Sequence, residues 1–179
     1  LKATMLVGLA TAGENAQAAS WRTQFRNTKI AGELVPTFER DLQGGGSREG
    51  TGYGTAMKNL YQLYDWWERS TGERMADLTS HTLASQAWML HAIVPTLDRL
   101  AAIGDQARES SVSLFDYHRE YLLSLMSLYP QERLSGASKK VLDASTLPTM
   151  QSGFELFADY LYPPASLPAV QMADLSTAY

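Results

Sequence analysis

The chain has 179 residues, 45% of them hydrophobic, with a formal net charge of -4 and no cysteine. That is apolar enough to bury a sizeable core, too apolar for a disordered chain, and long enough for one domain or part of one. Basic residues form no tail or broad face, which sets nucleic-acid binding aside, and the lack of cysteine removes disulfides, thiolate zinc sites and a cysteine nucleophile.

The first element is a helix over Ala3–Thr11. The opening "LKATMLVGLATAGENAQA" imitates a signal peptide, with a lysine, an apolar run and an Ala16-Gln17-Ala18 ending. Its charged region is only Leu1-Lys2, which favours a core helix over a targeting segment. The chain does not begin with Met, so it is expected to start partway through a longer protein. Next, Arg22, Arg26 and Lys29 recur at i, i+4, i+7 and predict one cationic helical face.

Beyond the glycine-rich loop of residues 44–54, helical periodicity dominates. Met57, Leu60, Tyr61, Tyr64 and Trp67 follow the spacing of a helix with one buried face. Leu83, Ala87, Leu90 and Val94 repeat the pattern, as do Leu114, Tyr117, Tyr121, Leu125 and Leu128. Alternation of period two is hard to find, so no sheet is expected. Pro95 is read as kinking one helix or starting another. No run approaches the ~18 apolar residues of a membrane span.

Three runs end in glycine plus an acid: Gly13-Glu14, Gly72-Glu73 and Gly104-Asp105. Glycine takes the left-handed conformation after a helix cheaply, and the acid suits the positive end of a following helix. Each pair therefore predicts a tight corner. The result is an all-α fold of antiparallel helical hairpins, stacked as part of an (α/α) toroid or solenoid. Residues 1–162 form this arc, and Pro163-Pro164 and Pro168 mark 163–179 as a linker or terminal helix.

The loop "GGGSREGTGYG" holds six of the chain's thirteen glycines. Glycine loses more backbone freedom on folding than any other residue, so this concentration needs a reason. A phosphate cradle is a poor one, because no Gly-Lys-Ser/Thr follows and no strand precedes it. A plain connection is another reading, but it does not require Tyr53 between glycines with Arg48 and Glu49 nearby. Loops on rigid scaffolds are where sites gather.

The longer stretch "GGGSREGTGYGTAMKNLYQLYDWWERSTGE" resembles the heparinase II/III-like group of polysaccharide lyases, which includes alginate lyases. In that group an α/α-toroid domain carries an Asp-Gly-Gly-x-x-x-Glu-Gly-x-x-Tyr loop, then an amphipathic helix ending in Thr-Gly. Gly45 and Gly46 match the glycines, Glu49-Gly50 the Glu-Gly pair and Tyr53 the tyrosine; Gly44 stands where the group has Asp. "AIGDQARESSVSLFDYHREYLL" and "LKATMLVGLATAGENAQAASW" also sit where helices of the group would.

The resemblance implies β-elimination at a uronic acid in an anionic polysaccharide, without cofactor or metal, in the periplasm or outside the cell. Tyr53 is the implied catalytic acid or base, and Arg48, Glu49 and Trp66 are candidate substrate contacts. A phenol titrates at about 10, so a basic role requires a nearby cation, for which Arg48 is the loop's candidate. The group's carboxylate-neutralising Asn or His would fall at or before Leu1, and a later histidine has no match. The chain alone is therefore expected to be inactive, with the rest of the polypeptide packed against it.

Other residues keep alternatives open. His81, His91 and His118 lack metal-site spacing and read as structural, with His118 on a polar face in "FDYHREY". Trp67 reads as core, while Trp66 and Trp88 can stack on sugars. Arg22, Arg26 and Lys29 form either a solvated face or a local attraction for an anionic glycan. An α/α-toroid glycosidase using Glu49 or Asp41 is one alternative function, and a non-catalytic helical interaction domain is another.

Overall fold

The computed structural model describes residues 1–51, 54–104, 111–114, 116–145, 161 and 170–175. The fold is mostly helical. Helix α1 (Lys2–Ala10) turns through Gly13, at φ +87°, into α2 (Ala18–Thr23). From α2 the chain continues without a break through a π-wound segment, Gln24–Leu34, into α3 (Val35–Asp41). Pro36 sits in the first turn of α3, where its missing N–H and fixed φ are tolerated.

Of the expected cationic face, Arg22 and Arg26 line one cavity, together with Glu73. Arg26 donates to Glu73 at 2.7–2.8 Å, and Lys29 pairs with Glu33 at 2.8 Å. Both charges are thus balanced within the protein.

Helix α4 (Gly54–Thr71) buries Met57, Leu60, Tyr61, Tyr64 and Trp67, as its periodicity predicts. It stops at Gly72, at φ +78°. A second stripe of the same helix, Lys58, Gln62 and Asp65, is also buried. It faces α6 (Asp116–Leu128), where Lys58 meets Glu120 at 2.7 Å and Asp65 accepts from Ser127 at 2.7 Å. Tyr61 and Tyr121 complete the seam edge to face, 5.1 Å between centroids. These pairs rise together in number, so α4 and α6 run parallel.

Helix α5 (His81–Ala92) and α7 (Arg133–Ala144) also run parallel: the Gln86 amide reaches Ser135 and Ser138, and further along Met89 and Ile93 line one small cavity with Val141, Leu142 and Ser145. Arg119 donates to the Leu142 carbonyl, while the Ser135 hydroxyl donates to that of Tyr129, so α6 and α7 form an antiparallel hairpin. From α4 to α7, consecutive helices are therefore antiparallel and alternate ones parallel.

The segment between α5 and α6 departs from expectation. α5 ends at Ala92, and Pro95 neither kinks a helix nor starts one. Proline pushes the residue before it into extended backbone, and Ile93 and Val94 are β-branched, so the chain leaves the helix there. Ile93 bridges to Leu100, and Leu97 turns the chain at φ +62°. A short antiparallel ribbon follows, β1 (Arg99–Ala101) on β2 (Ser111–Ser113), with Leu100 opposite Val112. Gly104 consequently closes no helix; it bridges to Gly50.

Residues 170–175 lie against α7, with a single turn at Met172–Asp174 and Arg133 donating to the Asp174 carbonyl. Residues 163–169 of the expected Pro-containing tail lie outside the described residues. No helix among the described residues is long and apolar enough to cross a membrane.

Candidate functional site

The glycine loop leaves α3 through a tight turn at Gln43–Gly45 and ends against the β1 strand and the residues after it. Two of its glycines are required by the fold. A Cβ at Gly45, at φ +78°, would stand 2.2 Å from the Ser85 backbone nitrogen. One at Gly50, at φ +77°, would stand 1.8 Å from the Ile103 carbonyl oxygen. The loop backbone therefore lies directly on α5 and on the segment after β1, where no side chain fits. These glycines serve contact within the protein, not the approach of a sugar.

Both ends of the loop are tied by histidines. At the first, the Gly44 N–H donates to His81 Nδ1 at 3.2 Å, and His81 Nε2 lies 3.4 Å from Glu39 Oε2. The other Glu39 oxygen accepts from Thr79 at 2.5 Å. At the second end, the Thr51 N–H donates to the Ile103 carbonyl at 3.1 Å and its hydroxyl to the Ala101 carbonyl at 2.9 Å. The Thr51 carbonyl accepts from His118 Nε2 at 2.8 Å. Burial pushes the His118 imidazole down to about 4, so it is neutral at pH 7 with its proton on Nε2.

The polar face expected around "FDYHREY" is thus corrected: Asp116, His118 and Glu120 are all buried. Charged side chains enter an interior only when paired, and the partner of Glu120 is Lys58 across the α4–α6 seam. Sequence spacing carries no trace of these long-range ties.

The candidate contacts do not all converge. Tyr53 lies outside the described residues; in sequence it follows Thr51 by two positions. Arg48 forms an ion pair with Asp41 at 2.6 Å. Asp41 is also gripped by Arg40, and the Arg40 hydrogen bond holds its carboxyl below the usual carboxylate range. Glu49 is exposed, and its N–H donates to the Ser47 hydroxyl at 3.2 Å. Trp66 packs beside the core away from the loop, with the Lys2 ammonium 4.9 Å from its ring.

Among the described residues, an aromatic side chain that does meet the loop is Trp88. Its indole lies against Gly46, whose Cβ would stand 3.0 Å from Nε1. A cavity of about 510 Å³ opens here, lined among the described residues by Gly44, Ala84, Ala87, Trp88, His91 and Ile103, with two further alanines. It falls within the size range of small-molecule sites. No group of three or more His, Cys, Asp or Glu that could hold a metal ion occurs among the described residues.

Comparison of the chain with protein-family models, with curated proteins and with solved structures yields no match. The functional reading therefore rests on residues and geometry.

Proposed function

We propose that the protein is a polysaccharide lyase that cleaves a uronic-acid-containing glycan by β-elimination, working in the periplasm or outside the cell. In this reading α4 to α7 are part of an (α/α) toroid, and their alternation of antiparallel neighbours with parallel next-neighbours supports that arrangement. The observation that carries the proposal is the loop itself. Its Gly44–Thr51 backbone is pinned at both ends by buried or half-buried histidines, beside a cavity of about 510 Å³.

In the reaction a general base other than the neutral Tyr53 phenol takes the C5 proton, the C–H electron pair forms the C4–C5 double bond, the C4–O bond breaks, and the departing oxygen takes a proton. Tyr53 is assigned that last transfer. Arg48 is already balanced by Asp41, which favours a neutral phenol acting as acid over a phenolate acting as base. The hydrolase alternative needs one protonated carboxyl, and Asp41, held low by its arginine neighbours, is unsuited to supply it.

The test is direct. The full-length polypeptide that carries this sequence is incubated with alginate, heparan sulfate, chondroitin and hyaluronan while ultraviolet absorbance is followed beside its Tyr53→Phe variant. Growth in absorbance that disappears with the variant is the expected result. Reducing ends without absorbance would replace the lyase with a hydrolase, and neither signal would leave a non-catalytic domain.

A further inference from the structure

Arg22 of α2 carries a donor that the protein leaves unused. Its Nε is buried and has no hydrogen-bond partner. A buried donor without an acceptor costs free energy, and more so on a charged group, so it calls for an explanation. The stem of the side chain is held from behind. Gly8 of α1 lies so close that a Cβ there would stand 3.0 Å from Arg22 Cγ and 3.3 Å from the Ala18 carbonyl oxygen. The bare backbone at Gly8 thus lets α1 press on the aliphatic part of Arg22 and restrict its rotamers.

Arg22 lines an open cavity of about 330 Å³, which it shares with Thr23, Arg26, Asn27 and Glu73. The carboxylate in that lining is fully engaged. Glu73 Oε1 accepts from Arg26 at 2.7–2.8 Å, and Oε2 accepts from the Trp67 indole at 2.9 Å. The Arg26 hydrogen bond, with the Trp67 one behind it, holds the Glu73 carboxyl below its ordinary range. Glu73 therefore stays ionised and offsets Arg26, while the positive charge of Arg22 is left over. Arg26 Nη1 also donates to Asn27 Oδ1 at 3.0 Å, so Asn27 commits its oxygen within the protein and keeps its NH₂ as a donor.

The carboxyl end of α4 borders this cavity and would repel an anion through bare carbonyls. Two of them are capped: that of Trp67 by the Thr71 hydroxyl, and that of Glu68 by the Gly72 N–H, each at 2.8 Å. A guanidinium, an amide NH₂ and the Thr23 hydroxyl then offer donors of three kinds. A group with oxygens in three directions uses them more fully than a planar carboxylate does.

We infer that Arg22, Thr23 and Asn27 form a binding site for a phosphate group. It lies at the end of α4 away from the glycine loop, about 25 Å along that helix. The site is independent of the lyase reading and gives the chain a second ligand.

The test is calorimetry on the full-length polypeptide that carries this sequence, at low ionic strength, with inorganic phosphate, glycerol phosphate and acetate. Phosphate is expected to bind, and acetate to bind more weakly. Arg22→Met keeps a stem under α1 and removes the donors, so it should weaken phosphate binding at least about tenfold. Asn27→Asp, on an exposed side chain, keeps the oxygen for Arg26 and adds a negative charge; it should weaken binding as much. Lys139→Gln removes a cation of α7 that Asp143 already pairs, and should change binding less than about twofold. Tighter binding of glycerol phosphate identifies a small phosphorylated molecule as the ligand, and equal binding identifies free phosphate; both support the site. The inference is overturned if phosphate does not bind, Arg22 Nε then being served by water alone. It is also overturned if Asn27→Asp leaves binding unchanged, if a folded Arg22→Met does so, or if Lys139→Gln weakens binding equally. Acetate binding as tightly as phosphate overturns the choice of ligand.

Discussion

His118 Nε2 donates to the backbone carbonyl of Thr51 at 2.8 Å, joining the middle of the fold to a position 67 residues earlier in the chain. The imidazole is buried in α6, and the carbonyl belongs to the last described residue before Tyr53. The same residue is held from its other side by the carbonyls of Ala101 and Ile103. The candidate site loop is thus set at Thr51 by groups on α6, in β1 and after it, in addition to the close backbone contacts that its glycines allow.

Burial of this imidazole makes stability depend on pH, the hydrogen bond to Thr51 opposing the shift only in part. His118 takes up a proton at 6.5 when unfolded and at about 4 when folded. Between those values the unfolded chain binds more protons, so stability rises with pH across the window and is lost as pH falls through it. The contribution of this residue amounts to about 3 kcal/mol by pH 4. Urea unfolding from pH 7 to pH 4 should show a shallower acid loss for His118→Gln, which keeps a donor and cannot titrate. Identical slopes for the two proteins would remove His118 from the explanation.

The Lys58–Glu120 pair is almost wholly buried, with side chains 3% and 2% exposed. Lys58→Met should cost about 3–5 kcal/mol, because it strands a carboxylate in the interior. Adding Glu120→Leu should recover most of that loss, since the remaining groups are then apolar. A double-mutant cycle by chemical denaturation checks both, and additive losses would contradict the pairing.

Glycine substitutions separate turn geometry from close packing. Gly50→Ala places a methyl against the Ile103 carbonyl and should cost at least about 3 kcal/mol. Gly44→Ala meets nothing within 4 Å and should cost only the left-handed penalty, about 1 kcal/mol. Thermal unfolding of the two variants should therefore differ in midpoint, and equal midpoints would mean that the loop does not press on the segment after β1.

Activity should distinguish Tyr53 from Arg48. With Tyr53 as the acid, Tyr53→Phe should lower kcat by about 10²–10⁴. Arg48→Ala, which releases a guanidinium already neutralised by Asp41, should change kcat by less than about tenfold. A loss with Arg48→Ala as large as that with Tyr53→Phe would restore the phenolate role.

Much of the scaffold was legible from local chemistry. The stripe from Met57 to Trp67 is helical, as is that from Tyr117 to Leu128, with Leu114 lying before the helix, and Gly13 and Gly72 turn the chain as expected. Gly104 looks the same in sequence and does something else, because Val94-Pro95 has already ended the helix before it. The buried polar stripe Lys58-Gln62-Asp65 was invisible, since a one-chain pattern reads three polar residues as a solvated face.

What local sequence could specify was the helical period, the places where helices stop and the crowding of glycines around Tyr53, for these depend on residues within a few positions of one another. Which residues the loop touches was settled by packing across long separations. His118 reaches Thr51, Lys58 reaches Glu120, Gly50 lies on Ile103, and Trp88 rather than Trp66 stands at the cavity. Such pairings arise only when helices distant in the chain are brought side by side, because burial then forces each polar group to find a partner and each backbone contact to exclude a side chain.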